Sequence, residues 1–211
     1  MRTEELIRVL AADGSQPVTP IGHTLWRALA VGALLSTALF LLILHPRFDI
    51  GRAMGTLRFD FKLMVVACVA AASAIFLGYT ALPASSAKHR SLLYLAPALL
   101  TAGVLVELAS TPAASWSELL IGHNAVHCLS LIPLLSMPSL ACLFLALRRA
   151  APLRPPLAGA TAGLVSGGVG AILYALTCPD DSPLFVATWY TIAIGVVATA
   201  SAFGGGRWLR W

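Results

Sequence analysis

Hydrophobic residues gather into six apolar runs near the length of a bilayer-crossing helix, about 20 residues: 25–44, 63–82, 92–109, 129–147, 157–176 and 184–203. Helix breakers stand at or just beyond the run ends: His45-Pro46, Pro83, Thr111-Pro112, Pro152 with Pro155-Pro156, and Cys178-Pro179. A missing backbone donor does least harm there. No run alternates with the period of two that a membrane barrel needs, so backbone polar groups must be satisfied within helices. The pattern predicts an all-α polytopic membrane protein, six transmembrane helices in a compact bundle over 25–206, with an N-terminal segment over 1–24 and a tail over 207–211. The first run begins too late, and lacks the small-residue cleavage site, for a removable signal peptide. Pro97, Pro133 and Pro138 fall inside runs and predict kinks.

Composition sharpens the class. The chain is 58% hydrophobic and 11% charged, where a soluble domain carries about a quarter charged residues. No polar block approaches the ~50 residues of a separate soluble domain. The net charge of +5 comes from scattered cations with no basic stripe, which argues against direct nucleic-acid binding. Their use is topological. Six spans put both termini on one side, and ten of the 14 cations fall there: Arg2, Arg8, Arg27, Lys88, Arg90, Arg148, Arg149, Arg154, Arg207 and Arg210. The other side holds Arg47, Arg52, Arg58 and Lys62, all in one loop. By the positive-inside rule both termini are cytoplasmic.

Residues 3–12 read as a short amphipathic helix that Thr3 can cap, with Glu4 and Glu5 in its first turn and Gly14 to end it. Leu6, Val9, Leu10 and Asp13 share one face, and a Pro-containing linker follows over 15–20. Three turns are marginal alone in water, so the face needs a partner: lipid headgroups, the chain's own loops or another protein. Two acids and a shortage of Lys suit an anionic leaflet poorly, which favours protein docking.

Four cysteines differ in depth. Cys128 opens the fourth run and Cys178 closes the fifth, so both lie at the outer face, on antiparallel helices expected to be neighbours. Cys142 is about 21 Å below Cys128 at the α-helical rise, and Cys68 is about two turns into its span; both read as packing residues. Cys128 and Cys178 can form a disulfide, hold a soft metal ion such as Cu, Cd or Zn, or simply fill space as small apolar residues. No cofactor is obligatory. His123, His127, Asp180 and Asp181 stand at the same level, as auxiliary ligands or as groups that shift a thiol pKa. Cys178-Pro179-Asp180-Asp181 is also a natural helix stop. Glu107, the one clear carboxylate within a run, is placed to reach the interface or Lys62, with a structural hydrogen bond as credible as a proton or metal role. Arg58, Asp60 and Lys62 alternate with Phe59 and Phe61, which suggests an interfacial segment with charges facing water or one another. Gly159, Gly163, Gly167 and Ala171 recur every four residues and make a groove for close helix packing. Trp26, Trp189, Tyr190, Trp208 and Trp211 read as interfacial anchors.

No Gly-x-Ser-x-Gly elbow, His-Glu-x-x-His helix, Cys-x-x-Cys pair or phosphate loop occurs, so an enzyme is not expected. The short N-terminal helix, the six spans, Cys128, the stretch Cys178-Pro179-Asp180-Asp181-Ser182-Pro183-Leu184-Phe185, Trp189-Tyr190, Phe61-Lys62 and the Leu209-Arg210-Trp211 ending resemble the NrsF family of bacterial integral-membrane anti-sigma factors. The resemblance implies an inner-membrane protein whose N-terminal segment sequesters an extracytoplasmic-function sigma factor. It also implies that Cys128 and Cys178 sense heavy-metal or oxidative stress outside. Two other classes fit the composition: a small metal-handling transporter or permease, with Glu107, His123, His127 and the cysteines along a path, and a structural membrane assembly subunit. Ligands on one face favour sensing, since transport needs a site near midplane.

Overall fold

The structure, a computed structural model, describes residues 3–5, 21–80 and 87–209, and among them there is helix and no strand. Six helices are long and apolar enough to cross a membrane. The long elements are α1 (Ile21–Ile43), α2 (Leu57–Thr80), α3 (Leu95–Ser110), α4 (Ala125–Ala150), α5 (Pro155–Ala175) and α6 (Thr191–Trp208). A single α-turn, Pro183–Phe185, and a π-turn, Val186–Tyr190, run directly into α6. Each long helix overlaps most of its predicted run, and the turns over Ala87–Tyr94 and Pro183–Tyr190 supply the starts of the third and sixth. The largest extension is at α2, which begins at Leu57, so Arg58, Asp60 and Lys62 lie at the start of a helix. The docking positions Leu6, Val9, Leu10 and Asp13, together with Trp211, lie outside the described residues; residues 3–5 are helical and exposed.

α5 is the hub, packed against α6, α4 and α2, while α1 leans on α4 and α3 touches mainly α2. Small residues make this possible. Gly159 and Gly163 meet Ser201 of α6, and Gly167 meets Ile194, so the four-residue groove receives α6. A Cβ at Gly159 would stand 2.2 Å from the Ser201 carbonyl oxygen. On its other faces, Gly168 presses on Ala70 of α2 and Gly170 on Ser136 of α4. The result is a helix with 72% of its apolar window buried, against 11% for the span that contains α3.

Pro97 stands just after the 3-10 helix Ala87–Tyr94 gives way to α3, and α4 runs through both Pro133 and Pro138. One expectation needs correction. Tyr190 is no interfacial anchor: it is 1% exposed and lies in the core, whereas Trp26 and Trp208 are exposed.

Candidate functional site

The end of the bundle where α1, α3 and α5 finish and α2, α4 and α6 begin carries most of the polar contacts among the described residues. Its centre is the segment between α5 and α6. Thr177 donates to the His45 carbonyl at 2.6 Å and the Arg47 amide to the Leu176 carbonyl at 3.1 Å, which ties the end of α5 to the loop after α1. Asp180 Oδ2 accepts from the amides of His123 and Asn124 at 3.1 and 3.0 Å and from Asn124 Nδ2 at 3.0 Å. These bonds tie the segment to the start of α4, and each hydrogen bond to a charged group is worth about 1.5–3 kcal/mol. Gly122 closes the short helix Trp116–Ile121 at φ 57°, and a Cβ there would also meet Phe185 at 2.5 Å, so the turn requires glycine.

Lys62 is the largest departure from expectation. Its side chain is 0% exposed, and its three ammonium donors find three acceptors: the Cys178 carbonyl at 2.9 Å, the Asp180 carbonyl at 3.4 Å and the Asp181 carboxylate. Asp181 Oδ2 accepts from Arg47 Nη1 at 3.0 Å, and Arg47 forks onto Asp49 through Nε and Nη2 at 2.6 and 2.7 Å. Both cations stack on the Phe59 ring, Lys62 Nζ at 5.4 Å and the Arg47 guanidinium at 6.0 Å from its centroid. The chain Lys62, Asp181, Arg47, Asp49 is formally neutral, which makes burial of its inner half tolerable. The Asp49 bond raises the Arg47 pKa further, and Arg47 in turn holds the Asp49 carboxyl below its usual range.

Glu107 finds Arg58, not Lys62. Its Oε1 lies 3.2 Å from Arg58 Nη2, while Oε2 accepts from Ser182 Oγ at 2.7 Å and the Leu184 amide at 3.0 Å. Ser182 caps the turn that follows, with Pro183 at its first position. The carboxylate thus staples α3 to the helix start that leads into α6, where negative charge suits the helix dipole.

Beneath this clasp lie the thiols. Cys128 and Cys178 are 0% and 1% exposed, unbonded to each other, and members of one buried cluster with Tyr174, Phe185 and Tyr190. The structure therefore brings the predicted pair together, but under cover. Burial pushes the Cys178 thiol pKa up, and nearby Lys62 partly offsets the rise. A protonated thiol at neutral pH follows, since an ordinary cysteine titrates near 8.5. Cys68 and Cys142 are half-buried and lie on α2 and α4.

The auxiliary ligands do not assemble. Among the described residues no group of three or more His, Cys, Asp and Glu is arranged to hold a metal ion. His123 and His127 are exposed. Asp180 is bonded to amides, Asp181 to two cations, and Glu107 to Ser182, Leu184 and Arg58. An open cleft of about 800 Å³ lined by Arg58, Glu118, His123, Asp180 and Asp181 brings solvent to the lid of the site and leaves the thiols covered. Sequence reasoning missed Lys62 as the keystone, together with Arg47, Asn124 and Tyr174. A lysine beside two phenylalanines at the start of an apolar run, with an unmatched acid pair at the same depth, was the available signal.

The family model described as "NrsF: Negative regulator of sigma F" matches residues 10–211. A protein of Azospira oryzae named "Probable anti-sigma-F factor NrsF" is 32% identical over 214 residues, and "Anti-sigma-F factor NrsF" of Caulobacter vibrioides is 34% identical over 218 residues. Both alignments cover 100% of each chain. No solved structure matches significantly.

Proposed function

Since the chain belongs to the NrsF family of negative regulators of sigma F, regulatory proteins and not enzymes, we propose that it is a membrane-bound anti-sigma factor. It sits in a bacterial inner membrane with both termini cytoplasmic and holds a sigma factor, in our reading one of the extracytoplasmic-function class, through Leu6, Val9, Leu10 and Asp13; the relatives are named for sigma-F. It releases that factor when a soft metal ion or an oxidant reaches Cys128 and Cys178. The observation that carries the reading is the end-to-end likeness to two relatives named as anti-sigma-F factors.

The sensing half draws support from the two free, buried thiols under a lid built of ion pairs. Lys62 bonds the carbonyl of Cys178 itself, so chemistry at that sulfur bears on α2 as well as on α5. Moving a two-state switch from 1:99 to 99:1 takes about 5.5 kcal/mol of differential affinity, a scale that metal–thiolate bonding or a disulfide supplies. Transport receives less support, because the charged side chains of the site gather at one end of the bundle. The test is co-purification from detergent-solubilised membranes. The full-length chain is expected to carry a sigma factor and a chain lacking residues 2–14 to carry none; no sigma factor on the full-length chain overturns the reading. For sensing, a Cys128→Ser, Cys178→Ser double variant is expected to be uninducible by Cd(II) or by peroxide, and ordinary induction of that variant would sink it.

A further inference from the structure

α3 is fastened to the bundle at one end only. Toward the polar end Glu107 staples it to Ser182 and Leu184, and Gly103 rests on the Phe61 ring with no room for a Cβ between them. There α3 also meets the turns Pro183–Tyr190, but it scarcely touches α6 beyond them. The splay leaves a crevice of about 340 Å³, walled by Val69 of α2, Leu93 and Leu100 of the third span, Leu164 of α5, and Ile194 and Gly195 of α6. Val69 is twelve positions past Leu57 and Ile194 eleven past Pro183, about 18 and 16 Å at the helical rise. The crevice therefore reaches the middle of a hydrocarbon core ~30 Å thick. Among the described residues no charged one lines it, and Ser73 and Thr191 contribute its hydroxyls. Gly195 differs from the glycines of α5. Gly159, Gly163 and Gly167 each press on α6, whereas a Cβ on Gly195 would meet nothing within 4 Å. Glycine is a poor helix former and no close approach requires it here, so the effect of its bare Cα is to widen the crevice.

We propose that this crevice is a binding site for one acyl chain of a phospholipid from the leaflet on the side of the termini. The proposal rests on the reading of the chain as a membrane protein and not on its sensor thiols. The shape selects the occupant. A span of a partner protein or of a second copy needs about 20 residues to cross the core, and its path is blocked at the polar end, where α3 closes on Phe61 and on the turns Pro183–Tyr190. Nor can a helix stop at midplane, because its end would leave backbone groups unsatisfied in hydrocarbon. A lipid tail enters from one leaflet and ends near the middle of the bilayer. Uncharged walls give a headgroup nothing to bind, so recognition is of the tail. Left empty, the walls would forfeit dispersion contacts on one side. A tail supplies them and backs the half of α3 that the bundle leaves bare.

The test uses the full-length protein reconstituted in vesicles of phosphatidylethanolamine and phosphatidylglycerol, re-extracted in detergent and washed free of bulk lipid before native mass spectrometry. The wild type is expected to keep one phospholipid per chain, with either headgroup. Gly195→Phe, which fills the crevice with a ring, is expected to keep its helix content and to hold phospholipid about tenfold more weakly. A wild type that keeps no phospholipid, or a Gly195→Phe that keeps it as well as the wild type does, overturns the site. A second measurement needs no variant. With a diazirine at the tip of the acyl chain and irradiation after the wash, label is expected on Leu100 and Ile194 and not on Leu42, which is 81% exposed on α1. Label on Leu42 equal to that on Leu100 and Ile194 reduces the lipid to a shared annulus and overturns the site as well. A lipid-free dimer that Gly195→Phe dissociates would put a second copy in the crevice, with the same result. Recovery of the chain from the soluble fraction without detergent overturns the membrane reading and this inference together, whereas absence of phospholipid from a chain that needs detergent overturns the inference alone.

Discussion

The two ends of α5 are held in different ways. At its start, Gly159 and Gly163 lie against Ser201 and Gly205 of α6, backbone against backbone, with Leu143, Leu147 and Leu209 filling the space around them. At its finish, Tyr174 and Cys178 lie under a lid of ion pairs and charge-assisted hydrogen bonds donated by Lys62, Arg47, Ser182 and Asn124. Contacts of shape have no chemical handle, whereas each bond of the lid depends on a charge or a proton that chemistry can alter. A helix clamped by fit at one end and by charge at the other can respond at the second without coming apart at the first.

The largest break is expected at the fitted end. Gly163→Leu places a Cβ 2.7 Å from Ala198 Cα and 2.8 Å from Ser201 Cβ and Oγ. The nearest of these atoms is backbone, so relief requires α6 to move away, beyond the ~1–3 kcal/mol typical of an extra methylene in a packed core. The expected outcome is loss of the folded bundle, seen as failure to elute as a monodisperse species from size-exclusion chromatography. Recovery of a monodisperse, wild-type-like protein would mean that the crossing of α5 and α6 is looser than these contacts require.

A smaller break belongs to the charged end. Lys62→Met keeps the chain as far as Cε, removes the ammonium and leaves the Asp181 carboxylate and the Cys178 carbonyl short of a donor. Breaking a buried pair costs about 3–5 kcal/mol. The lower figure applies here because Asp181 retains Arg47 and is 16% exposed. The bundle is expected to survive, with its lid loosened, so that Cys128 and Cys178 are alkylated by maleimide at least tenfold faster than in the wild type. A Lys62→Met, Asp181→Asn double variant is expected to recover part of the melting temperature, because the carboxylate oxygen left without its ammonium is no longer charged. Equal alkylation rates in wild type and Lys62→Met would separate the lid from access to the thiols.

This contrast also marks what the sequence could reveal. The fitted end was legible, because a repeat of four puts Gly159, Gly163 and Gly167 on one helix face whatever the helix packs against. The pairing of Cys128 with Cys178 was legible for a similar reason, equal depth on adjacent antiparallel helices. The charged end was not. Lys62 stands 119 positions before Asp181, and a lysine at a helix start reads by default as one that snorkels to water. Tyr190 follows Trp189, and such a pair reads as an interfacial belt; the π-turn that delivers Tyr190 into the core while Trp189 donates to the Leu120 carbonyl leaves no mark in hydrophobic periodicity. Glu107 was placed at the right depth but given the wrong cation, since depth fixes the level of a charge and not its azimuth.

The smallest effect tests the outer link of the ion-pair chain. Asp49 is exposed, and its carboxyl titrates below the usual range because the Arg47 guanidinium forks onto it. A carboxyl whose folded pKa is depressed contributes stability that is present above its unfolded value, about 3.9, and is lost as pH falls through the folded value. At neutral pH the wild type is therefore expected to melt slightly above Asp49→Asn, and the gap is expected to narrow as the pH falls below about 4. Salt should shrink the same gap, because an exposed pair is screened within a Debye length of about 10 Å at 0.1 M. Arg47 keeps Asp181 in either variant, so the thiols should stay covered and their alkylation rate unchanged between wild type and Asp49→Asn. If Asp49→Asn instead exposes the thiols as Lys62→Met is expected to, the lid is one cooperative network reaching out to Asp49, and the division between a buried keystone and a solvated outer link has to be redrawn.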